Sequence, residues 1–259
     1  PANFPFIARQ YPVDTAHLAG FANLQSAPMG NALGSPWGPP VATFVTVQDA
    51  PYHFNFHHGD QAHSLVLGNK VHSATSFAHL LLAETRKLPV AIWYLDGAGK
   101  SAPLMDAMGG VRATPGTAAF PLNPLLLSDT QPNRDFLALW IASLVDASAQ
   151  SLNPSSLSFF RSMVEALYQL PLAQRRMTTL VAMAREADGP LAATLQKFVA
   201  GQVHGALFDH AEDHFATAPL VAWDVRAYMQ DPTVRTPLVS YLLYRINGAL
   251  SGQPTLLAM

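Results

Sequence analysis

Residues 63–96 read HSLVLGNKVHSATSFAHLLLAETRKLPVAIWYLD. The stretch opens on a short apolar run, HSLVLG (63–68), stopped by glycine, which is the pattern of a buried strand. SATSFAHLLLAETRK (73–87) follows. Phe77, Leu80, Leu81 and Ala83 fall at helical spacing, and Arg86 and Lys87 suit a helix C-terminus. PVAIWYLD (89–96) is a second near-continuous apolar run. Strand, helix and strand in that order predict a β-α-β unit, hence a parallel sheet with a right-handed crossover. The expected fold class is α/β.

Upstream, MGNALGSPWGPP (29–40) has the composition of a loop. ATFVTV (42–47) and YHFNFH (52–57), split by the turn QDAP, predict two strands, with Tyr52, Phe54 and Phe56 alternating onto one face. Downstream, SAPLMDAMGG (101–110) predicts a short helix ended by glycines, and VRATPGTAAFPLNPLL (111–126) an irregular or edge-strand segment. Residues 131–203 carry four helical patterns in succession, with proline or asparagine at or just before several of their starts. PLVAWDV (219–225) returns to strand, residues 231–252 form a long amphipathic helix, and PTLLAM (254–259) closes as a strand. The predicted organisation is therefore a first part of an α/β core over 1–130, a helical insert over 131–203, and a return to the core over 204–259.

The chain has 259 residues, 49% of them hydrophobic and 12% charged, against roughly 25% charged in an average domain. That excludes a disordered chain and leaves ample side chains for a core. A formal net charge of −2 gives no nucleic-acid signal. The absence of cysteine excludes disulfides, thiolate metal sites and a cysteine nucleophile. No apolar run approaches the ~18 residues of a spanning helix. The start, PANFPFIARQYP (1–12), lacks the layout of a signal peptide. Both ends read as cuts through a longer chain.

Two stretches compete for a phosphate-binding role. GAGKS (97–101) has the letters of a phosphate loop, but the first glycine of GxxxxGK[ST] would fall on Tyr94. The simpler reading is that Gly97 and Gly99 turn the chain out of a strand and Lys100 is solvated. GNKVHSAT (68–75) instead has the expected placement between a predicted strand and a helix. Gly68 and Thr75 match the frame, whereas Ser73 and Ala74 stand at the second glycine and the lysine. Lys70, a point charge on a flexible stem, lies within the same loop.

The surroundings of that frame decide between them. PWGP (36–39), FNFH (54–57), GNKVHSAT (68–75), Asp96, Gly109–Gly110 and LNPL (122–125) occur in this order, followed by GALFDH (205–210) and WDV (223–225). Together they resemble the CagE/TrbE/VirB family of type IV secretion and conjugative-transfer ATPases, over nearly the whole chain. The resemblance implies a RecA-like P-loop NTPase fold with an α-helical insert, cut off before the family's Walker B acidic pair. It implies ATP and magnesium as cofactors, self-association as a hexamer, and other secretion components as partners. It also implies a place at the cytoplasmic face of the bacterial inner membrane, peripheral to it. Carried over, Gly68, Asn69, Lys70, Val71, His72, Ser73, Ala74, Thr75 and Ser76 form the nucleotide loop, Thr75 being the magnesium ligand, and Asp96 ends the next strand. Loss of the lysine at 74 implies impaired hydrolysis, because phosphoryl transfer rests on positioning and charge stabilisation. The alternative is a non-catalytic scaffold subunit that keeps the fold for oligomer contacts.

Other constellations are weaker. His53, His57, His58, His63 and His72 show no metal-site spacing and read as surface or packing residues. His210 and His214 would stand one turn apart if HGALFDHAEDH (204–214) were helical, but an exposed polar turn is the preferred reading. Arg175–Arg176 reads either as a nucleotide-sensing or interface pair or, more plainly, as a solvated helix end. Trp93, Trp140 and Trp223 lie in apolar runs and read as core. No GxSxG elbow occurs.

Overall fold

The structure, a computed structural model, describes residues 12–21, 27–146, 154–187 and 189–259. The reading of the chain start, part of the 20–40 loop and the 147–153 join within the insert lie outside the described residues. The chain divides into two units, residues 1–65 and 66–259.

The first unit holds a short helix, α1 (Thr15–Phe21), and an antiparallel hairpin of β1 (Ala42–Val45) and β2 (Pro51–Phe54). The turn between them closes with the Thr46 amide donating to the Ala50 carbonyl at 2.9 Å and the Ala50 amide donating to the Thr46 hydroxyl at 3.1 Å. Asp49 takes the left-handed conformation there, which Asp tolerates better than most residues. Phe44, Phe54 and Phe56 pack edge to face in succession, and Phe56 reaches Trp37 at 6.1 Å. Trp37 in turn meets the His57 ring at 4.5 Å. The PWGP and FNFH motifs thus pack against each other.

The second unit is built on a four-stranded parallel sheet. Its strands are β3 (Ala91–Asp96), β4 (Val111–Ala113), β5 (Leu220–Asp224) and β6 (Thr255–Ala258), in the order β4-β5-β3-β6. Their near-continuous apolar sequences fit a sheet covered on both faces. α2 (Val71–Thr85) precedes β3, and α3 (Ala102–Met108) joins β3 to β4. Gly109 ends α3 in the left-handed conformation (φ 67°), as the Gly-Gly reading expects. Gly110 next to it sits so close to Met105 and Leu220 that a Cβ would come within 2.9 Å of both side chains.

Between β4 and β5 the chain makes the helical excursion: α4 (Gln131–Val145), α5 (Pro154–Tyr168), α6 (Met177–Ala187), α7 (Gly189–Leu195) and the short α8 (Gly205–Phe208). Thr130 caps α4 by accepting from the Asn133 amide, with Pro132 in the first turn. α9 (Pro232–Ala249) leads into β6. Trp93, Leu95, Val221 and Trp223 share one large core with side chains of α4 to α9. Trp140, at its centre, donates its indole N–H to the Pro237 carbonyl at 3.0 Å. The three tryptophans expected in the core are there, each 6% exposed or less.

One expected strand does not form. HSLVLG (63–68) makes no ladder, and Leu65 and Leu67 are each 81% exposed. Both edges of β3 are already taken, by β5 and by β6. A strand exists only where a neighbour accepts its backbone groups, and 63–68 has none in this structure. The sheet is parallel as expected, but its crossovers run β3-α3-β4, β4-insert-β5 and β5-α9-β6 rather than through 63–68.

Candidate functional site

The candidate site is the carboxyl end of β3 and the entrance to α2, where open α/β sheets bind ligands. Gly68, Asn69 and Lys70 form the connection into α2. Val71, His72, Ser73, Ala74, Thr75 and Ser76 are already its first turns. Lys70 is the N-cap residue, in extended conformation, and no side chain caps the helix. Its carbonyl accepts from the Ser73 amide at 3.1 Å, the Ala74 amide at 3.3 Å and the Ser73 hydroxyl at 2.8 Å. Gly68 lies against this turn: a Cβ there would stand 3.0 Å from the Ala74 Cβ. The frame's last five positions are therefore helix, not an open loop.

Asp96 ends β3 and is buried. Its Oδ1 accepts from the Ala98 amide at 3.1 Å and its Oδ2 from the Ser101 amide at 2.6 Å. Burial pushes this carboxyl up, but hydrogen bonds from the Ser101 hydroxyl and the Ser101, Lys100 and Gly99 amides outweigh it and hold it below the usual carboxylate value. GAGKS is thus a loop wound around an internal carboxylate. Its amides, which a phosphate would need, are turned inward. Gly99 takes φ 69°, and Arg226 packs against it. Lys100 is half-buried rather than solvated.

His79 joins the two parts. It stands four residues after Thr75, one turn further along α2, and its ring meets Tyr94 of β3 edge to face at 5.9 Å. Burial first, and then Lys100, lower the His79 pKa; Asp96 opposes them. Its Nε2 is buried with no hydrogen-bond partner. On the neighbouring strand Asp224 is in register with Asp96 and accepts from the Arg226 amide at 3.2 Å. Sequence reading passed over His79, Tyr94 and Arg226. The helical spacing Thr75–His79 was the signal available for the first.

The later motifs have a different setting. Asp209 is buried and saturated: its carboxylate accepts from the Met177 amide at 3.1 Å, Arg176 at 3.3 Å, Thr178 at 2.9 Å and the Ala200 amide at 2.8 Å. Asn123 of LNPL donates to the carbonyls of His210 at 2.6 Å and Arg175 at 3.0 Å. Asp213 accepts from the Asn123 amide at 3.0 Å, from the Tyr241 hydroxyl at 2.6 Å and from Arg245. Burial, then Asp213, push the Tyr241 phenol well above its ordinary value, so it stays a donor.

Two expectations change here. HGALFDHAEDH is not an exposed polar turn, because Asp209 faces inward to residues 176–178 and Ala200 of the insert, and Asp213 to Asn123 and to Tyr241 and Arg245 of α9. Arg175 and Arg176 are not a solvated end: Arg175 lies over the Tyr168 ring at 4.8 Å, and Arg176 is paired with Asp209. Residues 209–214 are not helical, and His210 and His214 bond separately, to the Ala206 carbonyl and to Glu212. Among the described residues no group of three or more His, Asp or Glu side chains could hold a metal ion. Among them, too, no helix is long and apolar enough to cross a membrane.

No protein-family model matches the chain. It is 27% identical over 266 residues to the type IV secretion system protein virB4 of Bartonella henselae, covering 98% of this chain and 33% of that protein. It is 26% identical over 285 residues to the type IV secretion system protein PtlC of Bordetella pertussis, covering 98% and 34%. With the conjugal transfer protein TrbE of Rhizobium radiobacter the identity is 24% over 261 residues, covering 95% and 31%. The chain thus spans about a third of the length of the curated relatives it matches. Among solved structures, VirB4 of Thermoanaerobacter pseudethanolicus superposes with a TM-score of 0.62 at 16% identity, covering 89% of this chain and 68% of that one. The chain is a homologue of the VirB4, PtlC and TrbE proteins of type IV secretion and conjugal transfer, and its fold is the α/β, RecA-like fold of VirB4.

Proposed function

We propose that this chain is the motor-fold domain of a type IV secretion or conjugal transfer component in which nucleotide hydrolysis is impaired. The observation that carries the reading is the entrance to α2. Ala74 stands where the frame needs a lysine, and residues 71–75 are wound into helix where a phosphate loop would be open. Gly68 and Thr75 fit ATP and magnesium; Ser73, Ala74 and the helical first turn do not. Lys70 is the N-cap residue through its backbone alone, and it carries the frame's one lysine side chain. The second set of loop letters, GAGKS, offers its amides to Asp96 instead. Self-association, contacts with other secretion components and a place beside the inner membrane belong to this reading, as do the 131–203 insert and the flanking core segments.

Calorimetric titration with ATP and magnesium tests it, on this chain and on a variant carrying Val71→Gly, Ser73→Gly and Ala74→Lys. The expected result is no binding at micromolar nucleotide by the chain and measurable binding by the variant. Micromolar binding by the unaltered chain overturns the scaffold reading, and phosphate release from that bound ATP overturns the impaired one. The scaffold reading is favoured by the same missing lysine. It gains if the variant folds and still binds nothing.

A further inference from the structure

The hairpin of the first unit has two edges, and the backbone treats them differently. On the β2 side, His53 donates its amide to the Met29 carbonyl at 2.8 Å and accepts from the Asn31 amide at 3.3 Å. The His53 backbone therefore faces away from β1. His53 is in register with Thr43, so Thr43 turns its own amide and carbonyl to the outer edge of β1, and Val45, two residues on, does the same. The Thr43 hydroxyl lies 3.2 Å from the His53 ring, the close side-chain approach that belongs to such a pair. Among the described residues no other segment takes up the Thr43 and Val45 backbone groups on that side.

Folded chains blunt an open edge with a charge, a proline or a bulge. In the second unit the edge strand β4 carries Arg112 at its centre. β1 has no such device. Residues 41–48, VATFVTVQ, hold no charged side chain and no proline, and the register with β2 runs from Ala42 to Val45 without a bulge. Val45 and, just beyond the strand, Val47 are 75% and 96% exposed. We propose that the outer edge of β1 pairs with the same edge of a second copy of this chain, antiparallel about a two-fold axis at Phe44. An open edge accepts any extended strand; register and charge select a second copy. About that axis Thr43 of one copy stands opposite Val45 of the other, and the two exchange both of their outward backbone hydrogen bonds, so neither residue keeps an unpaired group. Their β-branched side chains become cross-strand neighbours, and an uncharged strand meets itself without like-charge repulsion. The two hairpins then form one continuous sheet through an isologous contact, the commonest kind between identical chains. The contact needs no nucleotide, and its failure leaves the motor reading as it stands.

Sedimentation velocity over a concentration series, together with amide hydrogen exchange, tests it. The chain dimerises as its concentration rises. The Thr43 and Val45 amides exchange fast in the dilute chain and become protected in the dimer, while the Phe44 amide, which faces β2, is unchanged. Val45→Lys sets a charge at the contact in each copy. Thr43→Pro removes an outward donor without touching the β1–β2 ladder. Each variant weakens dimerisation about tenfold or more, with the circular dichroism spectrum unchanged. A chain that stays monomeric at every concentration overturns the proposal. So does a dimer that both variants leave intact, or one in which Thr43 and Val45 gain no protection.

Discussion

Two regions of this chain carry the short motifs that pointed to the secretion family, and they differ in how their polar groups are used. At the LNPL and FDH junction every side chain named has several partners. Asp209 accepts four hydrogen bonds from two segments of the insert, residues 176–178 and Ala200, and Asn123 bridges two carbonyls. At the entrance to α2, by contrast, the Ser73 amide and hydroxyl bond within one turn, to the Lys70 carbonyl. Around Asp209 and Asn123 the polar groups join segments far apart in sequence, while residues 71–75 lie in the first turns of α2. Residues under structural demand leave several buried groups unpaired when changed, so the cost of altering them is steep.

Asp209→Ala gives the largest effect. Removing a fully buried carboxylate leaves the Met177 and Ala200 amides and the Thr178 hydroxyl without their acceptor, which costs about 3–5 kcal/mol and lowers Tm by roughly 10 °C, read by calorimetric melting. Asn123→Ala follows at about 2 kcal/mol, since two buried carbonyls lose their donor. Asp96→Asn sits between the two regions, at about 1–2 kcal/mol.

Its pH dependence is specific. The folded carboxyl lies below the usual value of 3.8, so its contribution is present above that value and is lost as pH falls through the folded one. The wild-type chain should lose this increment of stability on acidification below about pH 4, and the Asn variant should not. Ser73→Ala is smallest, within about 0.5 kcal/mol, because its bond is exposed and local. If Ser73→Ala costs as much as Asn123→Ala, the contrast between the regions fails.

Much of this molecule was legible as sequence. The apolar runs gave β3, β5 and β6, the 3.6-residue period gave α2 and the insert helices, and Gly109 marked the end of α3. These follow from local physics: side-chain periodicity, caps and φ restrictions need no distant partner. The order of the short motifs was enough to point to the secretion family.

The tertiary structure alone decided the rest. HSLVLG has a strand's pattern, but β3 is paired on both sides by strands that come later in the chain, β5 and β6, and 63–68 joins no ladder. GAGKS has a phosphate loop's letters, but a buried Asp96 five residues before Ser101 claimed the amides. The acidic residues of FDHAEDH look solvent-facing in sequence, yet Asp209 and Asp213 are turned inward by donors up to 90 residues away. Pattern fixes what a segment prefers when it has company. Which neighbour takes each donor and acceptor is a property of the folded chain.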